Sequence, residues 1–373
     1  MKPFLPQLQR TFAKSLADTS SEVLRTRAAK ALGTLITLTP RIDPLIAELV
    51  TGCRTSDVGV RNAMLKALYE VVSKAGANMS EASRSAVLGL IDTDPEDNDI
   101  SMAITNAKLL GALIKNVPAE HASGLIKNRV MTTHFSQSSA LALNAVLLES
   151  PSTLTESAFA DDLPEVICQG MASKNVSCTL YDFCVHANIQ ENFISDNCVL
   201  AAGKYLLSET RSNDFETIKP LFEGLANLIQ PGNSVDTRRL ALVVVRTTSR
   251  HHMDLVRPHL PLLAPPVFAS VRDPVIPVKL AAEAAFMALF NVVDEEGKVF
   301  DKYIASQDLA PNQKRSMQDY FKRVALRLGN TARERREAEG GQGGLGLSND
   351  EVDDEREIWS VGKVDLGEAA FDE

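Results

Sequence analysis

The chain has 373 residues, a formal net charge of −9, and 45% hydrophobic residues of which few are aromatic (5% of the chain). That length suits two ordinary domains or one solenoid, and an Ala- and Leu-rich balance suits stacked helices more than a β-sandwich. No run of about 18 uncharged apolar residues is present, which excludes an apolar membrane-spanning helix, and MKPFLPQLQRTFAK lacks the apolar core of a signal peptide.

The first stretch, Lys2–Leu38, predicts two helices back to back. Phe4, Leu5, Leu8, Phe12 and Leu16 fall on one stripe at spacings of mostly three and four, and Val23, Ala28, Leu32, Leu35 and Ile36 on another. Between them, Asp18–Glu22 is a turn whose Asp and Ser can accept the free N–H groups of the second helix. Further pairs are predicted at about 41–75, 80–116 (across the acidic connector Asp92–Asp99), 118–150 (opened by Pro118) and 155–189. A sixth is weak, with one clear helix in Asn192–Glu209; a seventh covers 213–252 and an eighth 254–293. A terminal cap follows at about 296–328, with Gly329 as its helix stop. Lys314, Arg315, Gln318, Lys322, Arg323 and Arg327 supply the polar outer face that a solenoid end requires. Phe4, Leu5 and Phe12 begin without such a cap, so the chain is expected to be a piece of a longer array.

Self-similarity supports the repeat reading. Shifted by 255 positions, the first stretch overlays Arg257–Phe290: Pro3 meets Pro258, Leu8 meets Leu263, Asp18 meets Asp273, Val23 meets Val278 and Ala29 meets Ala284. That offset holds seven units of roughly 36 residues, close to the length of paired-helix repeats. An Asp turn followed by Val and a basic residue recurs as Asp18…Val23…Arg25, Asp57…Val60-Arg61 and Asp273…Val278-Lys279. With an early Pro in the first helix and an Ala-rich second helix, this pattern resembles HEAT repeats. The expected fold is all-α, an α-solenoid of about eight HEAT/armadillo-like pairs with a helical cap.

The stretches KPFLPQLQRTF, RAAKALG and VRPHLPLLAPPVFASVRDPVIPVKLAAE, and the order of the units, resemble one family over about residues 1–328. It is the large ribosome-associated translational activator of the general amino-acid control pathway, at its C-terminal end. The resemblance implies a non-enzymatic cytoplasmic scaffold. Its partner would be the RWD domain of the kinase that phosphorylates the α subunit of translation initiation factor two. It would act on translating ribosomes in amino-acid starvation, alongside other repeats of a longer parent chain. It implies no cofactor, metal, membrane or small-molecule substrate. A generic HEAT adaptor for transport or phosphatase scaffolding, or a ribosomal-RNA-binding solenoid end, is the alternative.

Residues 329–373 read as a separate Gly-rich, acidic tail. Thr331–Glu373 has 13 acidic and 5 basic residues, so the first 330 residues carry only about one net negative charge. Its low apolar content predicts disorder. Trp359, the only Trp, sits in Ile358–Val361 between acidic flanks and is either part of that tail or a short motif that folds on a partner.

Catalytic signals are sparse. There is no HExxH and no CxxC, and Gly340–Gly346 lacks the strand and Lys-Ser/Thr of a phosphate loop. Cys53, Cys168, Cys178, Cys184 and Cys198 are an odd number and read as reduced thiols. Only Cys184 and His186 approach zinc-ligand spacing, and on a helix they diverge. The expected binding residues are basic. Arg239, Arg246 and Arg250 share one helical face, with Arg238 beside them and Arg257 in the next helix. Arg25 or Arg27, Arg61, Arg239 and Lys279 start second helices, which usually line the concave side of such arrays. They form either a discontinuous basic ladder for an acidic partner or ribosomal RNA, or internal locks to the turn residues Asp18, Asp57, Asp236 and Asp273.

Overall fold

Several helices start where an Asp or Ser accepts the N–H of the third helical residue. Ser21 takes Leu24 N (3.3 Å), Asp57 takes Val60 N (2.8 Å), Ser136 takes Ser139 N (3.2 Å), Asp214 takes Thr217 N (2.9 Å) and Ser234 takes Thr237 N (3.0 Å). A computed structural model describes residues 4–39, 41–91, 100–132, 136–173, 193–290, 298–307, 310–338 and 356–360. No β-strand occurs among the described residues. They divide into two compact units, residues 4–166 with 193–197, and residues 167–173 with 198–360.

In the first unit the helices are α1 (Leu5–Leu16), α2 (Glu22–Ile36), α3 (Asp43–Gly52), α4 (Val58–Ala75), α5 (Glu81–Ile91), α6 (Ile100–Ile114), α7 (Ala119–Arg129), α8 (Gln137–Glu149) and the short α9 (Pro151–Thr155). Two further helices are α10 (Leu163–Ala172) and α11 (Phe193–Leu207). α1 packs on α2, α3 on α4, α5 on α6 and α7 on α8. The second helices then pack in succession, α2 on α4, α4 on α6 and α6 on α8, while α3 also meets α5. This is the two-layer arrangement of a repeat solenoid, in which each pair covers its neighbour's apolar face. Its core runs through Leu32, Ile36, Ile46, Leu49, Leu68, Val72, Leu109 and Leu113. Polar links cross the repeats as well. Asp43 at the start of α3 accepts Ser80 N (2.9 Å) and the Ser83 hydroxyl (2.6 Å) at the start of α5. Buried Asn144 donates to Asn197 O (2.5 Å).

The second unit repeats the scheme with α12 (Phe215–Ile229), α13 (Val235–His251), the short α14 (Met253–Val256), α15 (Leu260–Ser270) and α16 (Ile276–Leu289). α12 packs on α13, α15 on α16, α13 on α16 and α12 on α15. α1 and α15 begin at Leu5 and Leu260, which is the offset of 255 read from the sequence. The unit closes with α17 (Lys298–Ser306) and α18 (Pro311–Ala338). Here Phe286, Phe290, Phe300 and Phe321 form an aromatic cluster, with the Phe300 and Phe321 rings stacked at 4.3 Å.

Several expectations end differently. α18 runs through Gly329 to Ala338, so the expected helix stop, and the boundary at 328, fall inside a helix. One glycine costs only about 1 kcal/mol in a helix interior, and α18 tolerates it. Residues 356–360 form a helical turn packed in the second unit. The weak sixth pair is the single helix α11. The second half of the fifth pair, the Asp92–Asp99 connector, Cys178, Cys184 and His186 lie outside the described residues.

Arg25 and Arg238, each at the fourth position of a second helix, both reach the following pair of helices. Arg25 in α2 donates to Asp18 O (2.7 Å), and its Nη2 lies 2.8 Å from where a Cβ on Gly59 of α4 would sit. Arg238 holds the same position in α13 and forms an ion pair with Asp273, the turn residue before α16. Asp273 also accepts Val275 N (2.9 Å). The side chains of this pair are only 10% and 7% exposed.

Two expectations follow from this packing. A Cβ on Gly111 would stand 2.7 Å from Ala145 O, against α8 backbone, whereas one on Gly124 in α7 would meet nothing. Chemical denaturation should show Gly111→Ala destabilised by about 1–3 kcal/mol and Gly124→Ala stabilised by up to about 1 kcal/mol. Arg238→Met strands the Asp273 carboxylate and should cost about 3 kcal/mol in the same assay, with Arg238→Met/Asp273→Asn recovering most of it. Equal stability of wild type and Arg238→Met would remove the lock.

Candidate partner-binding surface

α13 carries most of the basic residues singled out from the sequence. Its middle, Leu240–Ser249, is buried without interruption, because α12 and α16 both cover it. A helical wheel assumes one solvent face, and this helix has none along that stretch. Arg246 is 2% exposed, so Arg239, Arg246 and Arg250 do not form the exposed stripe expected of them. Arg238 is taken by Asp273, and Arg239 pairs with Glu357 at 2.6 Å. Arg250 and Arg257 are exposed, Arg250 in the last turn of α13, where a cation complements the helix dipole.

Arg61 and Lys279, at the fourth positions of α4 and α16, are both half-buried. The ladder therefore has its register at Arg25, Arg61, Arg238 and Lys279. Arg239, one position on, belongs to a different contact. The helices α6 and α8 carry Ala103 and Ala140 at this position, so the basic series is broken in the first unit.

What the sequence reading missed is apolar. Ile276 and Leu280 on α16 are 67% and 56% exposed, with Lys279 between them. Spacing of three and four puts all three on one helical face. The signal was present in the sequence as apolar residues off the buried stripe, Val278, Ala281, Ala282, Ala285, Phe286 and Leu289. Val235 of α13, and in the first unit Val23, Leu24 and Val58, likewise expose aliphatic side chains at second-helix starts.

A second missed feature is Lys204, fully enclosed in α11, whose Nζ donates to Ser360 O (2.7 Å). Burial drives its pKa well below that of an ordinary lysine. Burial also lowers His259, stacked on Phe215 at 4.5 Å, and His252, where the Arg211 charge adds to it. The Cys53 thiol is pushed up to about 12 by burial, and Cys198 is raised by the same cause. These are inert thiols rather than nucleophiles.

Among the described residues, no group of three or more His, Cys, Asp or Glu could hold a metal ion. No described helix is long and apolar enough to cross a membrane. A depression between α17 and α18, lined by Asp301, Ile304, Lys314, Arg315 and Gln318, is shallow and polar-edged, with Gln318 bonded to Asp301 at 2.8 Å.

Comparison with known proteins puts these helices in one lineage. A family described as "Stalled ribosome sensor GCN1-like, HEAT repeats" matches residues 43–339. The eIF-2-alpha kinase activator GCN1 of Saccharomyces cerevisiae is 38% identical, over 98% of this chain and 14% of its own length. Protein ILITYHIA of Arabidopsis thaliana is 29% identical over 83% of this chain and 11% of its own. The human stalled ribosome sensor GCN1 is 32% identical over 47% and 7%. The chain thus spans a small part of these relatives. The capped helix pairs, the stacking of their second helices and the family match over most of the length lead to one conclusion: this chain is a HEAT-repeat α-solenoid of the stalled ribosome sensor GCN1-like family.

Proposed function

We propose that this chain is a non-enzymatic, cytoplasmic scaffold segment of a kinase activator. In this reading it binds the RWD domain of the kinase that phosphorylates the α subunit of initiation factor two, and contributes to activating that kinase on translating ribosomes in amino-acid starvation. The observation that carries the reading is the 38% identity to an eIF-2-alpha kinase activator over 98% of the chain. The described residues add support, since they offer exposed aliphatic side chains at helix edges for protein contact.

Within the second unit the contact is assigned to the exposed face of α16. Ile276 and Leu280 supply the apolar centre that an interface buries, and Lys279 a basic neighbour for an acidic partner. Arg250 and Arg257, exposed at and beyond the end of α13, remain accessible for electrostatic steering. Arg238 and Arg246 act within the fold. A body with about one net negative charge in its first 330 residues favours a protein partner over ribosomal RNA.

Calorimetric titration of the full chain with the purified RWD domain tests this at two salt concentrations. Leu280→Asp should weaken binding at least about tenfold, or about 1.4 kcal/mol, with the thermal melt unchanged. Arg250→Glu/Arg257→Glu should weaken it mainly at low salt. Binding insensitive to Leu280→Asp moves the contact off α16. Absence of binding by a folded sample removes the RWD domain as a partner of this segment.

A further inference from the structure

Residues 356–360, Arg-Glu-Ile-Trp-Ser, return to the second unit as a single helical turn after the Gly-rich and acidic stretch 339–355. The turn is closed by Trp359 N on Arg356 O (3.1 Å), Ser360 N on Glu357 O (3.1 Å) and the Ser360 hydroxyl on Glu357 O (2.8 Å). Three contacts then seat it between α11 and α13.

The first contact is apolar. Ile358 is fully buried, and its Cγ2 lies 2.9 Å from where a Cβ on Gly203 would sit, beside Val244 of α13. The missing side chain of Gly203 is therefore the hole that Ile358 fills. The second is ionic: Glu357 pairs with Arg239 at 2.6 Å, with the two side chains 12% and 21% exposed. The third caps the turn's C-terminal end, where Lys204 Nζ donates to Ser360 O at 2.7 Å. Trp359 stays 44% exposed on the outer side.

Such a constellation reads a short sequence. The Arg239 cation selects a carboxylate, a glycine-floored hole selects a branched aliphatic residue next to it, and the Lys204 Nζ hydrogen bond fixes where the turn ends. A five-residue turn binds weakly by itself. Here it is covalently part of the chain, which sets its local concentration on the order of mM. A contact of this kind is populated in cis and open to exchange.

We infer that the cleft between α11 and α13 is a peptide-recognition site whose resident ligand is the chain's own 356–360 segment. That segment is displaced by a partner protein presenting a one-turn helix in which a carboxylate directly precedes Ile or another branched aliphatic residue. The inference is independent of the RWD reading and of the α16 face.

The only Trp of the chain lies in the segment, so its fluorescence reports the latch directly. In the full chain, Ile358→Asp and, separately, Glu357→Arg should shift Trp359 emission to the red and raise its quenching by acrylamide, with helicity by circular dichroism unchanged. A fluorescein-labelled peptide of residues 350–364 should bind the Ile358→Asp chain at least about tenfold more tightly than wild type, whose cleft is occupied; by the same arithmetic this is about 1.4 kcal/mol. Adding Arg239→Glu to the Ile358→Asp chain should abolish peptide binding. Two results would overturn the inference: Trp359 equally quenched in wild type and both variants, or a peptide that binds wild type and open-cleft chains equally or binds neither of the two open-cleft variants at about 1 mM, the local concentration of the tether.

Discussion

The packing of second helices on one another is the constraint from which the rest follows. A helix pair that buries only its mutual face leaves an apolar side exposed, and within each unit the next pair covers it: α2 on α4, α4 on α6 and α6 on α8 in one, α13 on α16 in the other. The glycine at Gly111 lets α6 approach the α8 backbone at Ala145. Because α13 is covered on both sides, its middle carries residues of opposite character, including Val243, Val244 and Arg246, all enclosed. Charge inside such a layer is tolerated only where partners meet it, and Arg238 with Asp273 is the clearest instance.

That constraint divides the basic residues into two groups. At Arg25 and Arg238, the fourth position of a second helix lies near the turn between the two helices of the following pair. There, Arg238 reaches Asp273, and Arg25 lies over Gly59, two residues after Asp57. Arg25 and Arg238 at this register act first on the stack. Beyond the packed layer, at helix ends and on the exposed face of α16, side chains are available to other molecules. In this scaffold, recognition is therefore a property of edges, where Ile276, Leu280, Arg250 and Arg257 stand.

The acidic C-terminal region adds a ligand of the chain's own. Glu357 covers Arg239 and Ile358 fills the space above Gly203, so a residue that sequence spacing assigned to an outward stripe is already engaged. One carboxylate, one aliphatic side chain and one carbonyl suffice to seat the turn, because the receiving groups Arg239, Gly203 and Lys204 are held rigidly by packed helices.

The sequence by itself determined the class of fold and the repeat. Asp and Ser before apolar periodic segments favour turns and helix starts, and the 255-residue offset placed α1 and α15 at equivalent starts. Local chemistry of that kind is written in neighbouring residues. Tertiary structure alone decided which charges remain accessible. Whether Arg246 faces solvent depends on two other helices, α12 before it and α16 after it, that cover α13 from both sides, and whether Arg239 is available depends on Glu357, 118 positions later. Helix α18 passing through Gly329 is a similar case, where the stop signal cost less than continuing the helix was worth. Spacing along a chain encodes which residues share a helical face; burial of that face is set by contacts between residues far apart in sequence, and no local pattern records them.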